Sequence, residues 1–129
     1  MDMGTNIACY SGNDSVMTGF GIVANCPSVP IPNHIAADYA LICKGDSMIN
    51  ARIFPGDIVY IRQQDQVENG EIAAVLIDNE ATLKRVRLFD DHIILEPENP
   101  QYRPLSYWGD DMNHLRILGK AIAFTGSIR

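Results

Sequence analysis

Basic residues are scarce in this sequence, and none occurs before Lys44. The chain has 129 residues, with 10 Lys and Arg against 16 Asp and Glu and a formal net charge of −6. A protein that binds nucleic acid directly carries a basic patch or stripe. The only basic cluster here, at Lys84, Arg85 and Arg87, lies inside a segment that alternates like a strand. We therefore expect any contact with DNA to be made by another domain.

Cysteines and long apolar runs are scarce as well. Cys9, Cys26 and Cys43 are odd in number and widely spaced, which argues against a disulfide framework and against a zinc site. No apolar run reaches the roughly 18 residues that a membrane-spanning helix needs, and no signal-peptide pattern opens the sequence. These absences predict free thiols in a soluble, cytoplasmic protein. They predict no membrane partner, no metal and no cofactor.

Short apolar runs between Gly and Pro predict a mainly β domain. Ten glycines and seven prolines are scattered along the chain, a distribution that favours short strands joined by turns over long helices. The predicted strands are Tyr39–Cys43, Ile58–Ile61, Glu71–Ile77, Ala81–Leu88, His92–Glu96 and Leu115–Phe124. Residues 47–53 are expected to form one or two helical turns, with Asp46 or Ser47 as the cap.

The composition changes near residue 38. Residues 1–37 contain many small residues and prolines with little hydrophobic pattern, which predicts an extended arm or linker. Residues 38–129 contain all the predicted strands and are long enough to form one domain with its own core. We therefore divide the chain into an arm, 1–37, and a domain, 38–129.

Lys84 occupies an unusual position on its predicted strand. Alternation places it on the same face as the apolar residues Val86 and Leu88, while Arg85 and Arg87 point the other way. Burial of a lysine lowers its pKa, because the charged form loses its hydration. A neutral amine near pH 7 can act as a general base. The alternative is that Lys84 extends along a sheet edge to solvent and only adds solubility.

Ser47 is the best candidate for a matching nucleophile. It follows Gly45-Asp46 at the break between a predicted strand and a predicted helical turn. Glycine permits an unusual backbone there, and the N–H groups at such a break can stabilise an oxyanion. The alternative role for Ser47 is that of an ordinary helix N-cap.

The histidines offer a competing arrangement, a Ser–His–Asp triad. His34, His92 and His114 are available, but none has a spacing or a setting that indicates a base. We therefore expect them to be surface or turn residues, and a Ser–Lys pair is the sharper hypothesis.

The segment around Ser47 resembles the nucleophile motif of the LexA-like peptidase family, which includes LexA, phage repressors and the UmuD-type mutagenesis proteins. The residues that carry this first match are Lys44-Gly45-Asp46-Ser47-Met48. Further segments similar to the family follow in order: Phe54–Ile61, Asn69–Val75, Ala81–Val86, Leu95–Pro100 and Leu115–Lys120. The 37-residue step from Ser47 to Lys84 is typical of the family. The resemblance covers about residues 38–124, and the ordered set is specific where a lone Gly-Asp-Ser-Met would not be.

The resemblance implies a LexA/signal-peptidase-like fold of coiled antiparallel sheets with at most short helical turns. It also implies a self-cleaving serine endopeptidase, in which neutral Lys84 takes the proton from Ser47 and the alkoxide attacks a carbonyl. The backbone N–H groups of Asp46 and Ser47 would then hold the oxyanion.

The resemblance also implies partners and a biological setting. Family members cut their own upstream linker in an SOS-type response, usually when a RecA–single-stranded DNA filament stabilises the cleavable conformation. Cleavage separates a helix-turn-helix domain from a domain that forms a homodimer. The expected partners are a second copy of the chain and the RecA filament. DNA would be bound only through a helix-turn-helix domain that this sequence does not contain, as in a LexA-like or prophage repressor.

The sequence departs from the family at the scissile bond, because the expected Ala-Gly or Cys-Gly dipeptide does not occur. Ser11-Gly12 lies at about the family's distance from Ser47. Thr18-Gly19 follows residues 15–17, which resemble the family's local context more closely, but its connection to Ser47 is shorter. A third outcome is that neither bond is cut.

Three other functions are open at this stage. One is a non-catalytic dimerisation or effector-sensing module of a transcription regulator, which the missing Ala-Gly favours and which Ser47 and Lys84 oppose. Another is a UmuD-type accessory protein of translesion synthesis, since such proteins also lack a helix-turn-helix domain. The last is a signal-peptidase-like enzyme, which shares serine–lysine chemistry but normally has a membrane anchor.

Overall fold

The structure is a computed structural model that describes residues 5–12, 31–78 and 80–128, with the backbone alone for 5–12, Tyr39 and Glu80. Its strands are β1 Thr5–Gly12, β2 Tyr39–Gly45, β3 Ile58–Gln63, β4 Ile72–Ile77, β5 Glu80–Leu88, β6 His92–Glu96, β7 Leu105–Trp108 and β8 Leu115–Thr125. The helical segments of the described residues are short 3-10 turns at Ile49–Ala51 and Gly109–His114. The predicted mainly β fold with short helical turns is confirmed.

The strands form one antiparallel sheet in the order β1-β2-β3-β8-β4-β5-β6-β7. Strand β1 also pairs with β5, where Asn6 lies opposite Thr82, so that six strands close into a circuit. Strands β6 and β7 continue the sheet beyond β5. The end of β2 and the middle of β5 are therefore brought near each other through β1, although 37 residues separate Ser47 from Lys84 along the chain.

Alternation along β4 places its side chains in two different core clusters. Ala74 packs into a cluster with Leu41, Val59 and other buried side chains. Its neighbours Ala73 and Val75 point to the opposite face and pack into a second cluster. Each large aliphatic side chain that is fully buried stabilises the fold by about 1.5–3 kcal/mol. Both faces of the central strands are therefore buried, which fixes the register of β5 and the position of its lysine.

Two strands have no counterpart among the segments predicted from the sequence. Strand β1, Thr5–Gly12, lies within the residues expected to form an extended arm, and it pairs with β2 and β5. Strand β7, Leu105–Trp108, has only four residues and pairs with β6. Both strands depend on hydrogen bonds to neighbours that are distant in sequence, which local propensity does not reveal. The division of the chain at residue 38 stays a prediction.

The helical turn after β2 is shorter than expected. The predicted turns at residues 47–53 reduce to one 3-10 turn, Ile49–Ala51. Met48 is its N-cap residue and no side chain caps it, so the expectation that Asp46 or Ser47 would do so is wrong. The reason is that both of these side chains have other partners, Tyr102 for Asp46 and Lys84 for Ser47.

Candidate active site

Ser47 lies just beyond the end of β2, where the chain leaves the sheet. Gly45 has a φ of 84°, in the left-handed region that favours glycine. Met48, the next residue after Ser47, is fully buried in the first core cluster and anchors the turn. Ser47 is itself fully buried. The backbone and the packing together therefore hold the Ser47 hydroxyl in one place.

Lys84 comes to this serine from the middle of β5. Its side chain is 2% exposed. The amine nitrogen Nζ lies 3.2 Å from Oγ of Ser47, 2.9 Å from Oγ1 of Thr82 and 3.1 Å from the carbonyl oxygen of Leu83. The structure thus brings together the predicted nucleophile and the predicted base.

Thr82 is the residue of this cluster that sequence reasoning missed. It is fully buried, and its hydroxyl is a partner of the Lys84 amine. The sequence did contain a signal for it, because residues two apart on a strand point to the same face. A hydroxyl two residues before a buried lysine is therefore a natural hydrogen-bond partner.

The arrangement is suited to proton transfer between Ser47 and Lys84. The oxygen atoms of Ser47, Thr82 and Leu83 that Nζ contacts belong to uncharged groups, and burial disfavours the charged ammonium. A charged amine would donate to Oγ of Ser47, whereas a neutral amine accepts the hydroxyl proton across the same distance. A nucleophile and a base within hydrogen-bond reach are the requirement for covalent catalysis.

Cys43 is a second nucleophilic side chain near the site, but its electrostatics keep it inert. Burial raises the pKa of the Cys43 thiol to about 11, and the negative charge of Asp57 adds to this effect, while Lys84 acts in the opposite direction. The thiolate is the reactive form of cysteine. Cys43 therefore stays a protonated thiol at neutral pH, and Ser47 stays the predicted nucleophile.

Asp46, the residue before Ser47, is held through both its side chain and its backbone. Its carboxylate Oδ1 accepts a hydrogen bond of 2.5 Å from the Tyr102 hydroxyl. Its carbonyl oxygen accepts one of 2.9 Å from Nδ2 of Asn99. The backbone N–H groups of Asp46 and Ser47, which the resemblance implies as oxyanion donors, belong to this turn, and that role stays a prediction.

The first candidate scissile bond, Ser11–Gly12, does not lie beside Ser47 in this structure. In the pairing of β1 with β2, Thr5 is opposite Gly45, while Ser11 is opposite Ala40. At about 3.3 Å per residue, Ala40 and Gly45 are roughly 16 Å apart along β2. The second candidate, Thr18–Gly19, lies outside the described residues. The position of the scissile bond stays a prediction.

The contacts described for the histidines do not involve Ser47 or Lys84. The ring of His92 stacks between those of Phe89 and Trp108, at centroid distances of 4.4 and 3.8 Å. His114 is exposed and pairs with Asp78, and His34 is exposed in the segment before β2. These positions give no support to a Ser–His–Asp triad.

The described residues contain neither a candidate metal site nor a candidate membrane-spanning helix. No group of three or more His, Cys, Asp or Glu side chains in residues 5–12, 31–78 and 80–128 is arranged to hold a metal ion. In the same part of the chain, no helix has the length and the hydropathy to cross a membrane.

Comparison with known families gives one match that covers most of the sequence. The model of the peptidase S24-like family matches residues 11–122. The chain belongs to the peptidase S24-like family. This range contains Ser47, Lys84 and Thr82, and it confirms the LexA-like resemblance inferred from the motifs.

Curated relatives of this family member include several proteins named LexA repressor. The one from Magnetococcus marinus is 40% identical over 118 residues, which are 81% of this chain and 49% of that protein. Those from a Nocardioides species and from Acidothermus cellulolyticus are 45% and 44% identical over 97 and 98 residues, or 37% and 34% of their own lengths. The chain thus spans a third to a half of the curated relatives it matches.

Proposed function

We propose that this chain is the self-cleaving serine peptidase and dimerisation domain of a LexA-like transcriptional repressor. The observation that carries the proposal is the 3.2 Å contact between Nζ of Lys84 and Oγ of Ser47. Both side chains are buried, and both belong to the range that the peptidase family model matches. Burial of a lysine costs free energy of folding, and buried titratable groups of this kind are concentrated at functional sites.

The proposed reaction is hydrolysis of a peptide bond through an acyl-enzyme. Neutral Lys84 accepts the proton of the Ser47 hydroxyl while Oγ attacks the carbonyl carbon. The N–H groups of Asp46 and Ser47 stabilise the oxyanion. The C–N bond then breaks, and Lys84 returns the proton to the leaving amine. In the second half, Lys84 takes a proton from a water molecule that attacks the Ser47 ester. The ester C–O bond then breaks, Lys84 returns the proton to Oγ of Ser47, and the acid is released.

The proposed substrate is the arm of the same chain, residues 1–37. Cleavage at Ser11–Gly12 requires this bond to leave its place opposite Ala40 and Tyr39 on β2 and to reach Ser47. Cleavage at Thr18–Gly19 places fewer residues between the bond and the nucleophile. For Ser11–Gly12 the arm must rearrange, and a partner that stabilises the rearranged form would accelerate cleavage.

The proposed partners follow from the family. The relatives are named repressors and are two to three times longer than their matched parts. A helix-turn-helix domain outside this sequence would bind the operator, in agreement with the net charge of −6. A RecA–single-stranded DNA filament, present during an SOS-type response, would be the partner that promotes cleavage of a LexA or prophage repressor.

A homodimer is proposed for the domain itself. An open apolar groove supports it, lined by Ala51, Ile53, Val59, Ile72, Ala121, Ile122, Ala123 and Phe124. Phe124 is 44% exposed, and large exposed apolar side chains that line a groove mark interaction surfaces. Sedimentation equilibrium should give twice the chain mass, and Phe124→Asp should shift the protein to monomer. A monomeric wild type at micromolar concentration would contradict the proposed dimer and leave the proposed peptidase activity unaffected.

The second candidate is a non-catalytic dimerisation or sensing module of a transcription regulator, which the missing Ala-Gly and Cys-Gly favour. A UmuD-type accessory protein would keep the same chemistry with a different partner. The contact between Lys84 and Ser47 supports a peptidase over the non-catalytic module, because only a peptidase needs Lys84 as a base, and a LexA-like repressor and a UmuD-type protein share that need.

Intact mass after incubation at pH 7 to 10 tests the proposed function. We expect a smaller product that ends at Ser11 or at Thr18, and no product with Ser47→Ala or Lys84→Ala. If the mass stays unchanged, a linker peptide that contains the Ala-Gly bond of the LexA-like family is then supplied in trans. Failure of that reaction as well would replace the peptidase by the non-catalytic module.

A further inference from the structure

The loop between β6 and β7, residues 97–104, lies against the turn that carries Ser47, and we name it the clamp loop. The N–H of Glu98 donates to the carbonyl oxygen of Ser47 at 2.8 Å, and the N–H of Asn50 donates to the carbonyl oxygen of Glu98 at 2.8 Å. Asn99 and Tyr102 donate to the carbonyl and to the carboxylate of Asp46. One loop therefore holds residues on both sides of the nucleophile.

The clamp loop is itself well ordered by internal hydrogen bonds. Asn99 is 6% exposed, and its Oδ1 accepts a hydrogen bond of 3.0 Å from the N–H of Gln101. The N–H of Tyr102 donates to the carbonyl oxygen of Asn99 at 3.1 Å. The Asn99 side chain thus has an acceptor fixed within the loop and a donor directed at Asp46. An amide that is held at both its oxygen and its nitrogen orients both of its partners.

The clamp loop is also tied to the strand that carries the base. The carboxylate of Glu98 forms an ion pair with Arg85, the residue after Lys84. Arg85 is in turn anchored by a 2.7 Å hydrogen bond to the carbonyl oxygen of Gly70. Glu98 therefore links the turn of Ser47, through its backbone, to β5, through its side chain.

The hydrogen bond from Asn99 sets the direction of a candidate oxyanion donor. The described peptide bonds are trans, so the C=O and the N–H of one peptide point in opposite directions. Because Nδ2 of Asn99 holds the carbonyl of Asp46, the N–H of Ser47 in the same peptide points away from the clamp loop. An oxyanion donor is effective only if it is oriented before the reaction.

We propose that Asn99 and Tyr102 are positioning residues that fix the Asp46–Ser47 peptide, so that the Ser47 hydroxyl and its N–H are aligned for attack. This inference rests on the proposed function and adds residues to it that act through Asp46. Asn99 orients the peptide plane directly. Tyr102 prevents rotation of Asp46, because the Tyr102 hydroxyl donates a charge-assisted hydrogen bond to the Asp46 carboxylate.

The experiment measures the rate at which a fluorophosphonate probe labels Ser47 in the full chain, read as intact mass from pH 6 to 10. In labelling, the Oγ–P bond forms, the P–F bond breaks, fluoride leaves and Lys84 takes the hydroxyl proton. The phosphonyl oxygen occupies the oxyanion position. The readout therefore depends on the alignment of Ser47, and no cleavage of the arm is needed.

We expect Tyr102→Phe and Asn99→Ala to lower the plateau rate by roughly tenfold, less than the 10² to 10³ that loss of an oxyanion donor costs. The pH midpoint, which reports Lys84, should stay within 0.3 unit. Matched controls are Tyr107→Phe, on β7 in the second core cluster, and Asn113→Ala, an exposed residue. Both controls should label at the wild-type rate.

A double-mutant cycle separates positioning from general loosening of the fold. In an Asp46→Ala background, Tyr102→Phe should have no further effect on labelling, because its partner is gone. Melting temperatures are measured for every variant, and labelling is measured at least 20 °C below the lowest of them.

The possible outcomes distinguish failure of the positioning role from failure of the proposed peptidase function. Labelling of Tyr102→Phe and Asn99→Ala at the wild-type rate, or a shift of the pH midpoint without a lower plateau, would overturn the positioning role alone. An additive loss from Tyr102→Phe in the Asp46→Ala background would also overturn it. If the wild type cleaves but is not labelled, the same variants are compared by their cleavage rates. Absence of both Lys84-dependent labelling and cleavage would overturn the proposed function, and the positioning role with it.

Discussion

Two lysines flank the same residue of this sheet, and their surroundings differ completely. Ala73 on β4 lies opposite Lys84 on β5 and opposite Lys120 on β8. Lys84 is 2% exposed and contacts the oxygen atoms of hydroxyl and carbonyl groups. The side chain of Lys120 is 34% exposed and forms an ion pair with Glu71.

The contrast arises from what covers each strand. The turn of Ser47 packs over β5 at Lys84, whereas β8 at Lys120 borders an open polar groove that also contains Arg62 and Glu71. The hydrogen bond from Lys120 lowers the pKa of the Glu71 carboxyl, as expected for an ordinary surface ion pair. Burial and the neighbouring groups therefore suit Lys84 to the proposed role of a base, whereas Lys120 is a structural cation.

The largest expected effect separates the two lysines by activity. Lys84→Ala should lower the rate of Ser47 labelling, and of any self-cleavage, by about 10²–10⁴-fold, the usual contribution of a general base. Lys120→Ala should stay within twofold of the wild type in the same assay. Equal losses in both variants would mean that the comparison reflects folding and not chemistry.

The pH dependence gives the next largest effect. Because the neutral amine is the active form, the rate should rise by up to about tenfold per pH unit and level off above the pKa of Lys84. The sign follows from the role, since a base must be deprotonated before it can accept the serine proton. Rates measured from pH 6 to 10 check this, and a rate that falls as the pH rises would contradict the assignment of Lys84 as the base.

Removal of the Thr82 hydroxyl should have a moderate effect. Thr82→Val keeps the shape but deletes the oxygen 2.9 Å from the Lys84 amine. We expect the labelling rate to fall by roughly tenfold, because a buried hydrogen bond worth about 1–1.5 kcal/mol no longer orients the amine. Thr82→Ser, which keeps the hydroxyl, is the matched control and should retain most of the rate. A wild-type rate in Thr82→Val would show that Ser47 alone is enough to position Lys84.

The smallest effect concerns stability and should have the opposite sign at the two lysines. Lys84→Met should raise the free energy of unfolding by about 1 kcal/mol, because a buried amine is replaced by an apolar chain of similar volume. Lys120→Met should lower it by less than about 1 kcal/mol, the value of an exposed ion pair. Urea denaturation measures both, and a loss above 2 kcal/mol for Lys84→Met would mean that the amine stabilises the fold.

The positions of Lys84 and Ser47 in the fold could be predicted from the sequence because both residues lie on strongly patterned segments. Alternation along β5 placed Lys84 on an apolar face, and the Gly45 break placed Ser47 at a strand end. The strands around them followed from short apolar runs between Gly and Pro. That Ser47 and Lys84 lie close together followed only from the order of the family motifs, since no local pattern indicates that positions 37 residues apart are in contact.

The rest of the site depends on contacts that local patterns do not reveal. Asn99 and Tyr102 occur in a proline-bounded loop without periodicity, and their partner Asp46 lies more than 50 residues earlier. Strand β1 is stabilised by pairing with β2 and β5 and not by its own composition. The short 3-10 turn replaced the expected helical turns because Asp46 and Ser47 form tertiary contacts in place of caps.

The central claim is that burial makes Lys84 a neutral amine that can accept a proton from Ser47, and an NMR titration of the Lys84 side chain tests it most directly. In protein labelled with ¹³C-lysine, the Cε resonance that disappears in Lys84→Met is followed from pH 5 to 11. The account predicts a midpoint clearly below the ordinary lysine value of about 10.4, matching the midpoint of Ser47 labelling. A Lys84 resonance that stays in its charged form up to the ordinary range would contradict the account.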